Sequence, residues 1–442
     1  MTSRPSTRED ERRNRVARLW VLWACVIAVA VLLVSVAASS HQRHEAGFDV
    51  FDEGAHYDYV LRLDHGQVPR SGDRITQQTL RMVSCVGGYG IKPAGCRVEY
   101  RNPADYPAGG YSYEGVDQPP LAYLPYVLTI QDNGHSESAL VDARWGGFIW
   151  SVVAAGLLVW IGWLADLSLL ELCGLLAVCL LSPVQIHAIA TVTDDSGAVP
   201  AGAAVLAAFL LARRRKKPMI VFGLAVGLLV GFMKGLFVVA PFVLVAAVLI
   251  DDIAARRRPV RAEVWRRYGC SVAMLVGAAV AYGAWLLIVD ARAVVSPHTV
   301  LQALQGFSKT PYPRPSTMLT GVQDGLSTLT AYLPAPLYWV WDLAVFGSLA
   351  GLVLLRGPVG RPALRATALA IFVGIAALAV AFPLLNFAEG HYDFAAPARY
   401  ALPVLPIVGL VLVRALRTRS VLVVGVLLPG LAVIAQLAGG QF

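Results

Sequence analysis

The residues best suited to chemistry are an Asp-Glu pair, Asp52-Glu53, that directly follows the first apolar segment. Acids beside a membrane cost desolvation free energy and usually have a function. The segment Asp52–Leu63 predicts a short helix at the membrane interface, with the pair in its first turn and His56 one turn further on. A carboxylate placed there could take a proton from a hydroxyl group. The alternative is an acid that caps the helix and faces solvent.

A proline-rich segment, Gln118-Pro119-Pro120-Leu121-Ala122-Tyr123, follows Asp117 and precedes a predicted span. Proline fixes φ and interrupts helices, so this segment predicts a rigid stretch of chain. It could hold Asp117, Gln118 and Tyr123 at the mouth of a cavity and in contact with a substrate. The alternative is a plain turn before a membrane segment.

Two further polar sites interrupt apolar sequence in the middle of the chain. Lys234 lies at the predicted apex of a helical hairpin, where it could bind a phosphate group or extend its ammonium group to the membrane surface. Asp194 and Asp195 lie between two predicted helices. They could contact an acceptor or a divalent cation, or cap the following helix.

The last candidates lie near two predicted loops. Arg399 begins a late helix, and its guanidinium group could donate a fork of hydrogen bonds to a phosphate or pair with a nearby acid. Tyr400 and His391 are candidate substrate contacts beside it, although His391 also fits an ordinary loop residue. Arg314, in the loop at 290–335, could bind a phosphate if that loop covers the site.

The elements that must position these residues are membrane helices. The chain has 442 residues, of which 57% are hydrophobic and only 15% charged. Many apolar stretches approach twenty residues, the length needed to cross a bilayer, and helices satisfy their own backbone hydrogen bonds there. We therefore predict an all-α polytopic membrane protein with about eleven transmembrane helices. After a first helix at 19–38, the predicted spans are Val141–Leu164, Leu167–Ala190, Ala198–Ala212, Met219–Met233, Leu236–Ile250, Tyr268–Val289, Pro336–Leu355, Ala366–Leu385, Pro397–Val413 and Val421–Leu437.

Charge gives the predicted orientation. The formal net charge is +8, and the basic clusters recur at the ends of predicted spans on one side. The positive-inside rule explains this pattern better than nucleic-acid binding does. We predict a basic cytoplasmic tail at 1–18, an extracytoplasmic loop at 39–140 that carries the Asp-Glu pair, and a bundle at 141–442. Further outer loops are expected near 191–197, 290–335 and 386–399.

Two of the six cysteines, Cys85 and Cys96, fall together in the predicted extracytoplasmic loop. Disulfides form in oxidising compartments, so we predict a bond between them. The alternative is a pair of free thiols. The mixed carboxylates and distant histidines do not have the spacing of a zinc site.

Taken in order, these motifs resemble the GT-C superfamily of membrane glycosyltransferases, which use polyprenyl-phosphate-linked sugars. The resemblance consists of the Asp-Glu motif after the first helix, Pro119–Tyr123 before the second span, Lys234 in a hairpin, and Arg399–Pro403 at the start of a late helix. The motifs are most similar to a bacterial branch related to the dolichyl-phosphate-mannose protein mannosyltransferases. The chain lacks the large C-terminal domain of several GT-C branches, which leaves acceptor recognition to its own loops.

The resemblance implies an inverting glycosyltransferase in the bacterial plasma membrane, with its active site on the outer face. Asp52, or Glu53 in its place, would be the general base, and Arg399, Lys234 and Arg314 would bind the donor phosphate. The acceptor would be a hydroxyl group of a glycan, lipid or protein. No cofactor would be required, although Asp52, Glu53, His56 and Asp194 could hold a divalent cation. A transporter or flippase of lipid-linked sugars and a scaffold of the cell envelope remain alternatives.

Overall fold

We analysed a computed structural model of the chain. The structure describes residues 52–87, 116–130, 138–257, 260–295, 315–326, 335–354, 362–388 and 396–416, with shorter pieces at 28–29, 31–36, 38–39, 47–48, 92–95, 110, 420 and 428–431.

The described residues fold almost entirely as helices. In chain order, the α-helices are α1 Glu53–Asp64, α2 Gln77–Val86, α3 Leu124–Thr129, α4 Ser138–Arg144, α5 Gly146–Leu164, α6 Leu169–Leu180, α7 Pro183–Ala190, α8 Ala198–Arg215, α9 Ile220–Gly231, α10 Val239–Ala254, α11 Arg261–Arg292, α12 Pro315–Leu326, α13 Ala335–Leu354, α14 Pro362–Ala388 and α15 Leu405–Ala415. Short 3-10 helices occur at Pro120–Tyr123, Asp194–Gly197, Gly235–Val238 and Ala398–Val404.

Among the described residues, six helical segments are long and apolar enough to cross a membrane, so the chain is a helical membrane protein with several spans. They coincide with six of the predicted spans and are Ser138–Leu164, Asp194–Arg215, Gly235–Ala254, Arg261–Arg292, Pro362–Leu384 and Ala398–Ala415. Two more predicted spans correspond to shorter apolar helices, Ile220–Gly231 and Trp339–Leu354. The first and last predicted spans lie largely outside the described residues, so the predicted total of eleven is not confirmed.

The predicted span Leu167–Ala190 is a bent pair rather than a straight helix. Its two halves, α6 and α7, meet at an angle of 56°. The bend has a local cause, because Pro183 at the start of α7 has no backbone N–H to donate to the preceding turn. The side chain of Ser182 begins α7 by accepting a hydrogen bond from the backbone N–H of Gln185 at 3.3 Å.

Glycine allows two of the membrane helices to approach very closely. Gly223, Gly227 and Gly231 recur every fourth residue along one face of α9. A Cβ atom at Gly223 would lie 2.5 Å from the carbonyl oxygen of Cys270 on α11. This arrangement places small residues at a helix–helix interface, as is common in membranes, where packing rather than water exclusion drives association.

The segment between the first two predicted spans builds a second core beside the bundle. Helix α1 occurs where the sequence predicts it, but nine of its twelve residues are buried, so it packs inside the protein instead of lying on a surface. Asp58 joins α1 to the start of α2, because its carboxylate accepts hydrogen bonds from the backbone and side chain of Thr76 at 2.8 and 2.6 Å. A stable platform therefore carries the Asp-Glu pair.

Two of the segments predicted as outer loops are partly helical in the structure. The segment 290–335 begins inside α11, which ends at Arg292, and it contains α12. The segment 386–399 begins inside α14, which ends at Ala388, and it finishes in the 3-10 helix that carries Arg399. Hydropathy locates an apolar stretch, whereas a helix continues as long as its backbone hydrogen bonds are satisfied.

Candidate functional site

Asp52 is fixed at the N-terminus of α1. Its backbone carbonyl accepts hydrogen bonds from the N–H groups of Ala55 and His56 at 2.9 and 3.1 Å, while its side chain makes no capping hydrogen bond. The carboxylate is therefore not used to cap its own helix. It reaches Arg399, whose Nη2 donates to Oδ2 at 2.7 Å. The ring of His56, one turn along α1, has its Nε2 3.9 Å from the same oxygen.

Glu53 makes different contacts from those of Asp52. Its Oε1 accepts hydrogen bonds from Nε of Arg144 at 2.7 Å and from the backbone N–H of Val192 at 2.8 Å. Its Oε2 accepts from Nη2 of Arg144 at 2.6 Å. Both side chains are about 1% exposed. Glu53 thus ties α1 to the end of α4 and to the turn after α7.

Arg399 lies between two carboxylates. The 3-10 helix Ala398–Val404 begins after Pro397 and places the guanidinium group next to the start of α1. In addition to its contact with Asp52, its Nε is 3.0 Å from Oδ2 of Asp195. One cation therefore joins residues from three distant parts of the chain.

Lys234 forms a buried ion pair with the two aspartates that follow α7. Its ammonium group lies 2.8 Å from Oδ1 of Asp194 and 2.7 Å from Oδ1 of Asp195, and 4.9 Å from the centre of the Tyr400 ring. Burial of one cation with two anions is stable only when the charges are paired in this way. Thr193, rather than either aspartate, caps the 3-10 helix, by accepting a hydrogen bond from the N–H of Asp195.

Two buried tyrosines adjoin the site through His56. A hydrogen bond of 2.7 Å joins Nδ1 of His56 to the hydroxyl group of Tyr123. The ring of Tyr123 stacks on Tyr59 at a centroid distance of 4.2 Å, and the hydroxyl group of Tyr59 donates to the backbone carbonyl of Gln118 at 2.9 Å. Burial raises the pKa of Tyr123 well above its ordinary value, so its phenol is neutral at physiological pH.

Several of these groups border one pocket, part of which is open to solvent. The start of α1, the length of α7 with the turn after it, and Arg399 enclose it. Its lining residues are Asp52, Glu53, His56, Val184, His187, Ala188, Thr191, Val192, Thr193, Asp195 and Arg399. The pocket is narrow, with room for about one water molecule, and charged and polar side chains meet apolar ones from α7 in it.

The electrostatics of the pocket keep Asp52 ionised. Burial alone would raise the pKa of its carboxyl group, but the Arg399 guanidinium and His56 outweigh this effect. They hold the pKa below the ordinary value of 3.8. Asp52 is therefore a carboxylate at neutral pH and can accept a proton, although its pairing with Arg399 weakens it as a base.

The predicted site residues fall into three groups. The structure brings together Asp52, Glu53, His56, Tyr123, Asp194, Asp195, Lys234, Arg399 and Tyr400. Asp117 and Gln118 lie at the edge of this group, joined to each other by a hydrogen bond of 3.1 Å. Arg314 and His391 lie outside the described residues.

Cys85 is disulfide-bonded. Its predicted partner, Cys96, lies outside the described residues, so the pairing itself stays a prediction. Among the residues that the structure describes, no group of three or more His, Cys, Asp or Glu side chains is arranged to hold a metal ion.

Sequence reasoning missed several residues of the site, among them Arg144, His187 and Thr191. Arg144 carried a usable signal, because it begins an apolar span at the end opposite to the basic clusters, as Arg399 does. His187 and Thr191 lie one turn apart within and just after α7, in a stretch that hydropathy assigns to a membrane span. Nothing in the local sequence distinguishes them from residues that pack inside a bundle.

No protein-family model matches the chain, and neither a curated protein nor a solved structure matches it.

Proposed function

We propose that this protein is an inverting glycosyltransferase that transfers a sugar from a polyprenyl-phosphate donor to a hydroxyl acceptor. The observation that carries the proposal is the contact of Arg399 with Asp52 in a pocket between α1 and α7. It puts a candidate base and a candidate phosphate ligand side by side. The resemblance of the ordered motifs to GT-C enzymes supplies the reaction class, and the fold of apolar helices suits a lipid-linked donor.

In the proposed reaction, the acceptor hydroxyl oxygen attacks the anomeric carbon of the sugar from the face opposite the phosphate. A new C–O bond forms as the bond from the anomeric carbon to the phosphate oxygen breaks. The polyprenyl phosphate leaves with the bonding electron pair, and Arg399 stabilises its charge. Asp52 takes the hydroxyl proton. A phosphate is a good leaving group, so the scheme requires no general acid.

The geometry favours Asp52 over Glu53 as the base. Both oxygens of Glu53 accept hydrogen bonds from Arg144, and one of them also accepts from Val192, which leaves its carboxylate committed to holding α1 in place. Asp52 has one short contact, to Arg399 on the pocket side. We therefore assign Glu53 a structural role and Asp52 the chemical one.

Lys234 is also reassigned within the proposal. The sequence predicted that it binds the donor phosphate, but its ammonium group is held by Asp194 and Asp195. We propose that it neutralises these two acids and that Arg399 alone, of the described cations, meets the phosphate. By the predicted orientation, the pocket opens on the extracytoplasmic side of the bacterial plasma membrane. The acceptor is a glycan, lipid or protein.

A second candidate function is transport of a lipid-linked sugar. The bent pair α6–α7 favours it, because transporters often form binding sites where a membrane helix is broken. Within α7, the side chain of Gln185 is fully buried, and its amide has no hydrogen-bond partner among the described residues. A transporter, however, has no need of a base beside a phosphate ligand.

One reconstitution separates the candidates. Purified protein in proteoliposomes is supplied with a panel of polyprenyl-phosphate sugars and a cell-envelope extract as acceptor, and both sugar transfer and movement of the donor across the bilayer are followed. The proposal expects transfer of a sugar to the extract. Movement of donor without transfer would replace it with the transporter, and neither activity across the panel would favour the scaffold.

A further inference from the structure

As the protein stands, the proposed base and the proposed phosphate ligand neutralise each other. Nη2 of Arg399 lies 2.7 Å from Oδ2 of Asp52, a distance typical of a charge-assisted hydrogen bond. A phosphate that binds Arg399 through the same face of the guanidinium group must compete with this carboxylate. Asp52, for its part, gives up a favourable ion pair when it takes a proton. Donor binding and base strength are therefore linked through one contact.

The two carboxylates that hold Arg399 are not equivalent. Asp195 is about 2% exposed and is also held by Lys234 at 2.7 Å. Asp52 is about 12% exposed, and the ring of His56 lies 3.9 Å from the same carboxylate oxygen. The contact with Asp52 is thus the more accessible to an incoming anion, whereas the contact with Asp195 is anchored by a second cation.

We propose that the donor phosphate displaces Asp52 from Arg399 while Asp195 keeps the guanidinium group in the site. The exchange releases Asp52 as an unpaired carboxylate, ready to accept the hydroxyl proton, only in the donor complex. Asp195 is then a positioning residue, and Lys234 fixes it. This inference rests on the proposed function and adds an order to it, in which the donor binds before the base is active.

The exchange predicts a direction of change in phosphate affinity that a purely structural ion pair would not produce. Removal of the Asp52 carboxylate abolishes its competition for Arg399, so the same substitution that stops the reaction strengthens phosphate binding. Removal of the Asp195 carboxylate has the opposite effect, because Arg399 loses its anchor. A general gain in positive potential would also follow the removal of an acid outside the site, and Asp64, exposed at the far end of α1, provides that control.

The test is a titration of the purified protein in detergent with farnesyl phosphate, with farnesol as the uncharged control. We expect Asp52→Asn to bind farnesyl phosphate at least tenfold more tightly than wild type, which corresponds to about 1.4 kcal/mol. Asp64→Asn should change binding by less than about threefold, and Asp195→Asn should weaken it. Asp52→Ser is the second variant if Asp52→Asn does not yield folded protein. Farnesol should bind all the variants equally.

Two results would overturn the exchange, and they can be told apart from failure of the proposed donor site. If Arg399→Gln weakens binding but the Asp52 variants bind no more tightly than Asp64→Asn, Arg399 binds phosphate without leaving Asp52, and only the exchange is wrong. If Arg399→Gln binds farnesyl phosphate as wild type does, the assignment of Arg399 to the donor phosphate is wrong as well.

Discussion

The buried pair of Glu53 and Arg144 gives the most direct test of the difference between the two adjacent acids. Arg144→Gln removes the charged partner of the Glu53 carboxylate, which is about 1% exposed. Loss of one partner from a buried ion pair costs about 3–5 kcal/mol, because the other charge stays desolvated. Glu53→Gln should cost a comparable amount, since the buried guanidinium group of Arg144 then loses its charged partner.

The double variant should recover part of this loss, because neither charge is then left alone. We expect the destabilisation of Glu53→Gln/Arg144→Gln to be smaller than the sum of the two single effects by about 1–3 kcal/mol. The assay is equilibrium denaturation of the purified protein in detergent. Arg70→Gln is the matched control, because Arg70 is half exposed and its ion pair with Asp73 should contribute less than about 1 kcal/mol.

Two outcomes would refute this reasoning. One is additivity of the single effects, which would mean that the two side chains do not stabilise each other. The other is a Glu53→Gln protein that is as stable as wild type but inactive, because Glu53 would then act in the reaction and not in the fold.

Three further predictions concern the frame of the site and its response to acid. Lys234→Met should destabilise the protein by about 3–5 kcal/mol, since it leaves the buried carboxylate of Asp194 without its cation and Asp195 with Arg399 alone, and the yield of monodisperse protein and its denaturation report this. Gly202→Ala should displace the 3-10 helix that carries Arg399 and lower stability in equilibrium denaturation, because a Cβ there would overlap the carbonyl oxygen of Pro403. Gly156→Ala, where a Cβ meets nothing within 4 Å, should leave stability unchanged in the same assay. Because the pKa of Asp52 is lowered in the folded protein, its contribution to stability is complete above its unfolded pKa, near 3.8, and disappears as the pH falls toward the folded value. The Asp52→Asn protein should therefore lose less stability than wild type as the pH falls below about 4.

The helical character of the fold could be predicted because it depends on local sequence. Apolar stretches of about twenty residues specify membrane helices wherever they occur. The bend between α6 and α7 has a visible marker in Pro183, and a more cautious interpretation of that proline would have divided the predicted span. Hydropathy does not predict helix ends, because these depend on contacts that it does not measure. Examples are the helix that ends at Ala388 and the helix inside the segment 290–335.

The arrangement of the site could be predicted only in part. Residue type and position identified Asp52 and Arg399, but they lie 347 residues apart, and no sequence period reports which helices meet. The same limit explains why the binding partners of Lys234 could not be predicted. An isolated lysine in an apolar stretch indicates a buried cation, yet only the structure shows that two aspartates some forty residues earlier bind it. Arg144 was missed although its partner was the second acid of the most prominent motif.

The measurement that tests the central claim most directly is donor consumption by Asp52→Asn beside wild type and Glu53→Gln. We expect wild type to consume a polyprenyl-phosphate sugar in the presence of acceptor extract, and folded Asp52→Asn to be slower by about 100-fold or more. Glu53→Gln should lose activity only as far as it loses folded protein. A folded Asp52→Asn protein that consumes the donor as fast as wild type would contradict the account.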